Sequence, residues 1–369
     1  MRVLMLTEAR TVHAQRWAAA LVRRGWEVAM LSVSTTPIPG VEVIPLQTPP
    51  FGWTYRRRWW GRYSQYIRDT IGRVAPDVVH IHYLTDYPLK GFPRSAGPPL
   101  VISTWGADIV QDQWVPHDDE DQRRRKVSLL QAADAVTATT HYLADCTADY
   151  ARIPRGEITV IPFGVDLQRY NASRADRPKH GLTVGFIKHL EAKYGVEHLV
   201  RAVPRVVERF PTVRFVVVGT GSQEVALKWL TQELGVSRHV EWTGAIHNAE
   251  VPAALAAMDV FAMPSVSLSE TFGVSAIEAQ AAGVPVVFSD LPGVREAVTD
   301  GVGGLMVPPG DPQALADAIC RLLTDAPLRR RLGEQGRRMV AERFDFAHNV
   351  DRMEEVYQRV TAANLCPVS

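Results

Sequence analysis

The chain has 369 residues, a length that suggests two domains, each large enough to bury its own core. Its 41 Lys and Arg residues nearly balance 40 Asp and Glu residues, which argues against nucleic acid as the main partner. The three cysteines form no CxxC pair, so neither a disulfide framework nor a cysteine zinc site is expected at Cys146, Cys320 and Cys366.

The N-terminal segment lacks the apolar core of a signal peptide, because its first apolar run soon meets Glu8 and Arg10. No later window approaches the roughly 18 apolar residues of a membrane span. We therefore expect a cytoplasmic protein that is soluble, or at most peripheral at the inner face of the membrane.

Short β-branched runs alternate with helical patterns along the first half of the chain. The helical patterns place apolar residues three or four positions apart, for example at Ile67, Ile71 and Val74. This alternation is typical of βαβ units that form a parallel, doubly wound sheet. The predicted strands are 3–6, 27–33, 41–46, 77–83, 100–103, 135–138 and 158–161.

Residues 51–68 are dense in Arg, Trp and Tyr. One interpretation is a basic, aromatic surface that touches an anionic membrane or an extended acceptor. The other is an ordinary helix start, with Trp59, Tyr63 and Tyr66 packed inward and the arginines solvated. The composition leaves both open.

The strand pattern restarts after a polar, Arg-rich stretch at 171–181 that indicates an interdomain linker. We predict an α/β fold of two doubly wound, Rossmann-like domains, 1–168 and 169–345, that face each other across a cleft. A helix within 346–369 is expected to pack back on the first domain. The second set of predicted strands is 182–187, 214–218, 240–243, 260–263, 284–288 and 304–307.

The stretch 264–296 carries the most chemical information, because it follows a buried strand at the edge where such sheets bind ligands. Glu270 precedes a helix predicted to start near Phe272 or Gly273, and Glu278 lies inside it. The free N–H groups and positive dipole end of that helix favour a phosphate beside Glu270. Flanking carboxylates suit hydroxyls on either side of that phosphate, as in a ligand built sugar–phosphate–sugar.

Two lysines, Lys188 and Lys193, follow the predicted strand 182–187. Ammonium groups there can neutralise a diphosphate as it becomes a leaving group. The alternative is a pair of solvated lysines at a helix start.

Six blocks of the second half resemble, in the same order, those of the retaining glycosyltransferases of family 4, which have the two-Rossmann architecture called GT-B. The likeness runs from the first strand to about Leu323. It implies transfer of a sugar from a nucleotide diphosphate donor, most often a uridine one, to an acceptor hydroxyl with retention of configuration. The blocks are GFIKHLEAKYGVEHLVRA, FVVVGTGS, EWTGAIHNAEVPAALAAMDVFAMPS, SETFGVSAIEAQAAGVPVVFSD, GVREAV and GGLMVPPGDPQALADAI.

The resemblance implies roles by position. Glu278 would bind the ribose and Glu270 the donor sugar. Lys188 and Lys193 would brace the diphosphate as catalytic groups together with Glu270. The other donor-side groups would be the backbone amides of Phe272, Gly273, Val274 and Ser275, with the base near Gly244 and Ile246.

The first domain departs from the family pattern. Trp105 stands where His-Gly-x-Asp normally has its histidine, although Asp108 remains, and TEARTVHAQRW replaces the Gly-Gly loop after the first strand. A Trp cannot shuttle a proton, so either the indole N–H replaces a contact of that histidine or another group takes over. Asp108 is the expected catalytic substitute, and the further acceptor-side or sugar-side candidates are His13, His82, His141 and Trp105 itself.

Two further sequence features could suggest a metal site, but neither is interpreted as one. His80 and His82 share one face of a strand, but no third ligand has a useful spacing, which favours a hydrogen-bonded pair at the cleft mouth. The acidic stretch 117–121 does not follow an apolar strand and is interpreted as solvated surface. We expect no cofactor and no metal, since the nucleotide-sugar is a substrate.

The preferred function is a glycosyltransferase of bacterial polysaccharide, glycolipid or metabolite biosynthesis. The acceptor is then a lipid-linked saccharide, a small metabolite or a polymer, and nucleic acid is not a partner. A sugar-nucleotide epimerase or phosphorylase of the same architecture is an alternative. A noncatalytic sugar-nucleotide-binding subunit is another.

Overall fold

A computed structural model describes residues 1–46, 56–84, 97–170 and 181–365, with only the backbone described at 56–63 and 365. Cys366, residues 51–55 and the predicted linker up to residue 180 lie outside these ranges. The chain divides into two compact units. The first comprises 1–111, 116–162 and the residues from Ala347 onward, and the second comprises 112–115 and 163–346.

The first unit is built on strands β1 (Arg2–Leu6), β2 (Glu27–Ser32), β3 (Val41–Pro45), β4 (Val78–His82), β5 (Leu100–Thr104), β6 (Ala135–Ala138) and β7 (Ile158–Val160). They form one parallel sheet in the order β3-β2-β1-β4-β5-β6-β7. Every residue of β4 and β5 is buried, as expected for strands covered on both faces.

The helices of the first half are α1 (Val12–Arg23), α2 (Arg56–Val74), α3 (Glu120–Gln131) and α4 (His141–Ala151). Polar side chains start three of them: Thr11 and Thr140 accept from backbone amides of α1 and α4, and Asp119 forms a capping box on α3. None of the helices in the described ranges combines the length and apolarity needed to cross a bilayer.

Helix α2 begins at Arg56, within the Arg- and aromatic-rich stretch. Tyr66 is half-buried, and its hydroxyl donates to the carbonyl of Pro45 at 2.7 Å, as the ordinary-helix interpretation expects. Membrane contact through 51–68 stays a prediction, because much of that stretch lies outside the described side chains.

The second unit contains strands β8 (Thr183–Ile187), β9 (Arg214–Val218), β10 (Val240–Gly244), β11 (Val260–Met263), β12 (Val286–Ser289) and β13 (Gly304–Val307). Their parallel order is β10-β9-β8-β11-β12-β13, which is the doubly wound order of dinucleotide-binding sheets. The order reverses between β8 and β11, as it does between β1 and β4 in the first sheet. The predicted strands of both units are confirmed to within two residues at each end.

The helices of the second unit are α5 (Val196–Arg209), α6 (Glu224–Glu233), α7 (Val251–Ala256), α8 (Val274–Ala281), α9 (Pro292–Ala297), α10 (Pro312–Thr324) and α11 (Ala326–Arg343). Helices α5 and α10 pack together on the sheet around fully buried side chains such as Phe186 and Phe215. This rigid layer fixes the loops that follow β8 and β11.

The last helix, α12 (Phe346–Leu365), belongs to the first unit from Ala347 onward. Val350, Met353 and Val356 are buried, so the predicted helical spacing is confirmed. Arg24 forms ion pairs with Asp351 and Glu354 of this helix.

The acidic stretch 117–121 is not uniformly solvated, which corrects the prediction for Asp118. Its carboxylate lies 2.9 Å from the ammonium of Lys126 and accepts a 2.7 Å hydrogen bond from Tyr150. The Asp118 and Lys126 side chains are only 10% and 7% exposed. Helix α3 places Lys126 next to the loop that carries Asp118, and a buried ammonium needs a counterion.

Candidate functional site

The loops after β8 and β11 meet at the reversal point of the second sheet. Lys188, directly after β8, forms an ion pair with Glu270 in the loop after β11, and the two side chains are 16% and 10% exposed. The Ser265 hydroxyl also reaches that carboxylate, at 3.5 Å, and the Lys188 ammonium lies 4.5 Å from the ring centroid of Tyr194. Parallel topology thus joins residues that are distant in sequence.

Lys193 supplies a second ammonium, 5.1 Å from the Tyr194 ring centroid. Burial lowers the pKa of Lys193, and nearby Lys188 adds to that effect, whereas Glu270 acts in the opposite direction. The Lys188 and Lys193 ammonium groups thus lie near one ring, and a pair of cations suits a bound anion.

Helix α8 starts in the predicted place, with Gly273 as its N-terminal cap in the left-handed region at φ 85°. A Cβ at Gly273 would lie 3.1 Å from Cε of Met263, so both conformation and space favour glycine. The amides of the first turn have no partner within the helix. The Ser275 hydroxyl, in that turn, is buried and has no hydrogen-bond partner among the described residues.

Glu278 lies one turn further along α8 and is 8% exposed. Phe272, just before the helix, is buried between Phe163 and Phe344, with ring centroids 5.7 and 5.4 Å away. These aromatic contacts hold the backbone of the turn in one position. The structure therefore places Phe272, Gly273, Ser275 and Glu278 at or within one turn of this helix start.

Gly244 and Ile246 lie at the end of β10. The carbonyl of Gly244 accepts from the amide of Gly219 at 2.8 Å, and the strand register shifts between Trp242 and Gly244. Gly244 has φ 72° with open space where a Cβ would point, and Ile246 is half-buried. Contact of the base with this strand end stays a prediction.

Asp112 helps to hold the loop that carries Glu270, and the sequence did not indicate this role. Its carboxylate accepts from the Ser267 hydroxyl and the Leu268 amide, both at 2.8 Å. It thereby ties down the loop that carries Glu270. The contact spans about 155 positions of sequence, so no local pattern could reveal it.

In the first unit, aromatic rings gather where the sheet order reverses. The Trp105 ring centroid lies 5.8 Å from His13 and 5.1 Å from His82. The Trp17 ring centroid lies 6.4 Å from that of His82. Three of the candidates named for the acceptor or sugar side are therefore neighbours.

His80 and His82 are hydrogen-bonded to each other at 2.9 Å, and both are buried. Burial lowers the pKa of both imidazoles, that of His82 to about 3, so both are neutral near pH 7. The predicted hydrogen-bonded pair is confirmed, although it lies inside the unit. No three metal-ligating side chains converge anywhere in the described ranges.

Asp108 is buried, and its carboxylate accepts from the amides of Gly106, Trp105 and Leu84 at 2.7, 3.1 and 3.1 Å. Burial raises the pKa of Asp108, against the effect of these hydrogen bonds. Both oxygens are thus engaged in holding the loop around Trp105. This geometry favours a positioning role for Asp108 over the expected catalytic one.

His141 lies on the exposed first turn of α4. Arg155 donates to its Nδ1 at 3.1 Å. His141 follows β6, whereas His82 ends β4 and Trp105 directly follows β5.

Two family models cover most of the chain. Glycosyltransferase Family 4 matches residues 11–169, and Glycosyl transferases group 1 matches residues 171–339. The D-inositol 3-phosphate glycosyltransferase of Stackebrandtia nassauensis is 31% identical over 302 residues, which are 76% of this chain and 68% of that protein. The chain belongs to glycosyltransferase family 4.

Further relatives of this family 4 glycosyltransferase extend the comparison. The phosphatidyl-myo-inositol mannosyltransferase of Mycobacterium leprae is 35% identical over 55% of this chain, but the match spans about half, 54%, of that protein. The D-inositol 3-phosphate glycosyltransferase of Corynebacterium jeikeium is 27% identical over 95% of this chain and 92% of that protein.

Solved structures confirm the GT-B fold. The sucrose-phosphate synthase of Thermosynechococcus elongatus has a TM-score of 0.83 at 22% identity, over 98% of this chain and 100% of that chain. Anabaena HepE, solved with UDP and glucose, has a TM-score of 0.77 at 21% identity, over 97% of this chain and 100% of that chain. At such identities the likeness concerns the fold of this family 4 glycosyltransferase.

Proposed function

We propose that this chain is a retaining glycosyltransferase that moves a sugar from a UDP-sugar to an acceptor hydroxyl. The observation that carries the proposal is the Lys188–Glu270 pair beside Lys193 and the start of α8, at the reversal point of the second sheet. Cations, free amides and carboxylates at one edge match a sugar linked to a nucleotide diphosphate.

The uridine donor is supported by HepE, which shares the fold and was solved with UDP and with UDP-glucose. In this chain, the diphosphate would lie on the first-turn amides of α8 between the two ammonium groups. Glu270 would accept hydrogen bonds from donor-sugar hydroxyls, and Glu278 from the ribose. Gly244 and Ile246 would border the base.

Retention follows in this proposal from attack on the face that the leaving group departs from. The bond between the anomeric carbon and the phosphate oxygen breaks, and the acceptor oxygen bonds to the same carbon on the same face. The acceptor proton passes to the departing phosphate. Lys188, Lys193 and the α8 amides stabilise the negative charge that develops on the diphosphate.

Ligand-dependent unfolding tests the donor. UDP should raise the unfolding midpoint more than GDP or ADP, because a ligand at 100 times its Kd stabilises the folded state by about 2.7 kcal/mol. A preference for GDP or ADP would contradict the uridine assignment.

Product analysis tests the reaction. D-inositol 3-phosphate is the first acceptor to try, because several relatives are named D-inositol 3-phosphate glycosyltransferases. Proton NMR should show the donor's anomeric configuration in the product, and EDTA should not stop transfer, since we propose that no metal takes part. An inverted product, or isomerised UDP-glucose without acceptor, would contradict a retaining transferase.

A further inference from the structure

A buried polar network lies at the carboxyl edge of the first sheet. His80 Nε2 contacts the Ser103 hydroxyl at 2.7 Å, and that hydroxyl contacts Thr137 at 2.6 Å. His80 Nδ1 contacts both the Tyr357 hydroxyl at 2.5 Å and His82 Nε2 at 2.9 Å. All five residues are no more than 4% exposed, so water does not replace a missing proton in any of these contacts.

Counting protons selects one tautomer for each ring. Both imidazoles are neutral, so each carries a single N–H. If His80 is protonated at Nε2, it donates to Ser103, and the single lone pair of its Nδ1 is shared by the Tyr357 hydroxyl and His82 Nε2–H in a three-centre hydrogen bond. If His80 is protonated at Nδ1 instead, this one proton faces both the Tyr357 oxygen and His82 Nε2. It can be donated fully to only one of them, so the other contact lacks a proton. The first arrangement supplies a proton to every contact.

This arrangement leaves Nδ1 of His82 without a proton. With its proton on Nε2, His82 carries a lone pair on Nδ1, and this buried atom has no hydrogen-bond partner in the described part of the chain. An unpaired buried acceptor destabilises the folded chain, and a ligand that donates to it would offset that cost. His82 ends β4, beside β1, where sheets of this order bind their ligands.

We propose, on the basis of the proposed glycosyl transfer, that His82 Nδ1 accepts a hydrogen bond from the acceptor hydroxyl, and that Tyr357 positions His82 through His80. The partly exposed Trp105 indole lies beside the His82 ring, so the hydroxyl has to pass this side chain to reach Nδ1. His82 orients the attacking oxygen and keeps its own charge state. The step is otherwise that of the proposed glycosyl transfer, and His82 takes no proton in it.

This assignment makes the C-terminal helix part of the acceptor site. Tyr357 acts through His80: its O–H decides which nitrogen of His80 is free to accept, and thereby which nitrogen of His82 carries the proton. In this proposal, His82 on the neighbouring strand β4 replaces the usual histidine. It acts as a neutral hydrogen-bond acceptor, and no proton shuttle is needed at Trp105.

Imidazole nitrogen NMR on the full chain labelled with ¹⁵N-histidine tests the tautomer without any ligand. We expect His82 to be protonated at Nε2 and bare at Nδ1 between pH 6 and 8. Tyr357→Phe removes the hydroxyl proton, so His80 can place its proton on Nδ1 and donate to His82. The His82 proton should then shift towards Nδ1. A protonated Nδ1 in the wild-type chain, or an unchanged His82 in Tyr357→Phe, would overturn the proposal.

Kinetics test the contact with the hydroxyl, with UDP-glucose as donor and D-inositol 3-phosphate, phosphatidylinositol and methyl α-D-glucoside as acceptors. His82→Gln reaches the Nε2 position but leaves no acceptor at Nδ1, whereas His82→Asn places an oxygen near Nδ1. His82→Gln should lower kcat/KM for transfer by on the order of tenfold, and Asn should restore much of it. Tyr357→Phe should lower it by a similar factor, because the wrong tautomer donates instead of accepting.

Tyr150→Phe is the matched control, since it removes a 2.7 Å phenol hydrogen bond to Asp118 in the same unit and should leave kcat/KM unchanged. The UDP midpoint shift should stay unchanged in all three variants of His82 and Tyr357, because donor binding does not use this contact. A UDP midpoint shift lost together with transfer, or Asn no better than Gln, would overturn the hydroxyl contact. A wild-type chain that neither binds UDP nor glycosylates any of the three acceptors overturns the proposed function, while NMR still decides the tautomer.

Discussion

The ammonium of Lys188 and the carboxylate of Glu270 form an ion pair across 82 positions of sequence, where the second sheet reverses its strand order. Both side chains are largely buried, and Lys193 adds a second cation next to them. The edge of the sheet is therefore charged and ordered before a ligand arrives. Preorganised charge of this kind stabilises a leaving group without a reorganisation cost during the reaction.

Glu270→Gln should destabilise the folded chain by roughly 3 kcal/mol, because it leaves the Lys188 ammonium largely buried without a counterion. Urea unfolding measures the change. Glu241→Gln is the control, since its ion pair with Arg214 is about half exposed and should contribute less than about 1 kcal/mol. Equal effects of the two substitutions would show that the Lys188–Glu270 pair is not structurally special.

Lys193→Ala should lower kcat by on the order of 100-fold while changing UDP-glucose affinity much less, because its charge acts on the diphosphate as it departs. Single-turnover rates and the UDP-glucose midpoint shift separate the two quantities. Lys228→Ala, which removes an exposed lysine paired with Glu224 in the same unit, should alter neither. A loss in binding as large as the loss in kcat would assign Lys193 to ground-state binding.

Glu278→Ala should weaken UDP binding about tenfold, because a buried carboxylate would no longer accept from the ribose hydroxyls. Calorimetry with UDP and 2′-deoxy-UDP makes the test specific. The wild-type chain should prefer UDP, and Glu278→Ala should bind both alike. If the preference for UDP survives in the variant, the ribose contact lies elsewhere.

Gly195→Ala should be far more disruptive than Gly235→Ala. The two glycines have nearly equal φ, 66° and 67°, so the left-handed strain of about 1–2 kcal/mol is shared. Only at Gly195 would a Cβ meet backbone, 1.9 Å from the carbonyl oxygen of Pro264, whereas Gly235 faces open space.

The clash at Gly195 would push apart the loops that carry Lys193 and Glu270. Gly195→Ala should therefore lose UDP-glucose turnover as well as thermal stability, and Gly235→Ala should keep its turnover. Similar unfolding midpoints for the two variants would show that the loops after β8 and β11 accommodate the methyl group.

Stability should fall as the pH drops from 7 to 5. Burial lowers the pKa of His80 and His82, that of His82 to about 3, whereas an unperturbed imidazole has a pKa of 6.5. Below pH 6.5 the unfolded chain thus binds protons that the folded chain does not, so this stability is fully present above 6.5 and is lost towards pH 3. The slope should be about 1.4 kcal/mol per pH unit for each histidine.

Urea unfolding at pH 7, 6 and 5 measures that slope. His82→Gln removes one of the two titrating groups and should give a smaller pH dependence than the wild-type chain. A wild-type stability that is constant over this range would mean that the two histidines are charged, or exposed, in the folded state.

Local sequence was sufficient to predict both sheets. Strands such as β4 and β11 are short apolar runs between turn residues, and a parallel strand buried on both faces requires that composition wherever it occurs. The start of α8 was equally predictable, since the residues that set it, Phe272 and Gly273, are adjacent to the helix they begin. The ordered blocks around them were enough to indicate the family.

The sequence did not predict which side chains contact each other. Asp108 keeps its place in the family motif, but only the fold shows its oxygens engaged by backbone amides. The sequence suggested that His80 and His82 share a face, yet not that Tyr357 closes the network from 277 positions away.

By itself, then, the sequence determined the two doubly wound domains, the family and the donor motif, because these depend on composition and spacing within single segments. Only the tertiary structure decided that Lys188 pairs with Glu270, that Asp112 holds the loop before Glu270, and that the histidine pair is buried and neutral. The physical reason is that partner choice depends on which strand ends the sheet order brings together, and burial then sets the charge of each group.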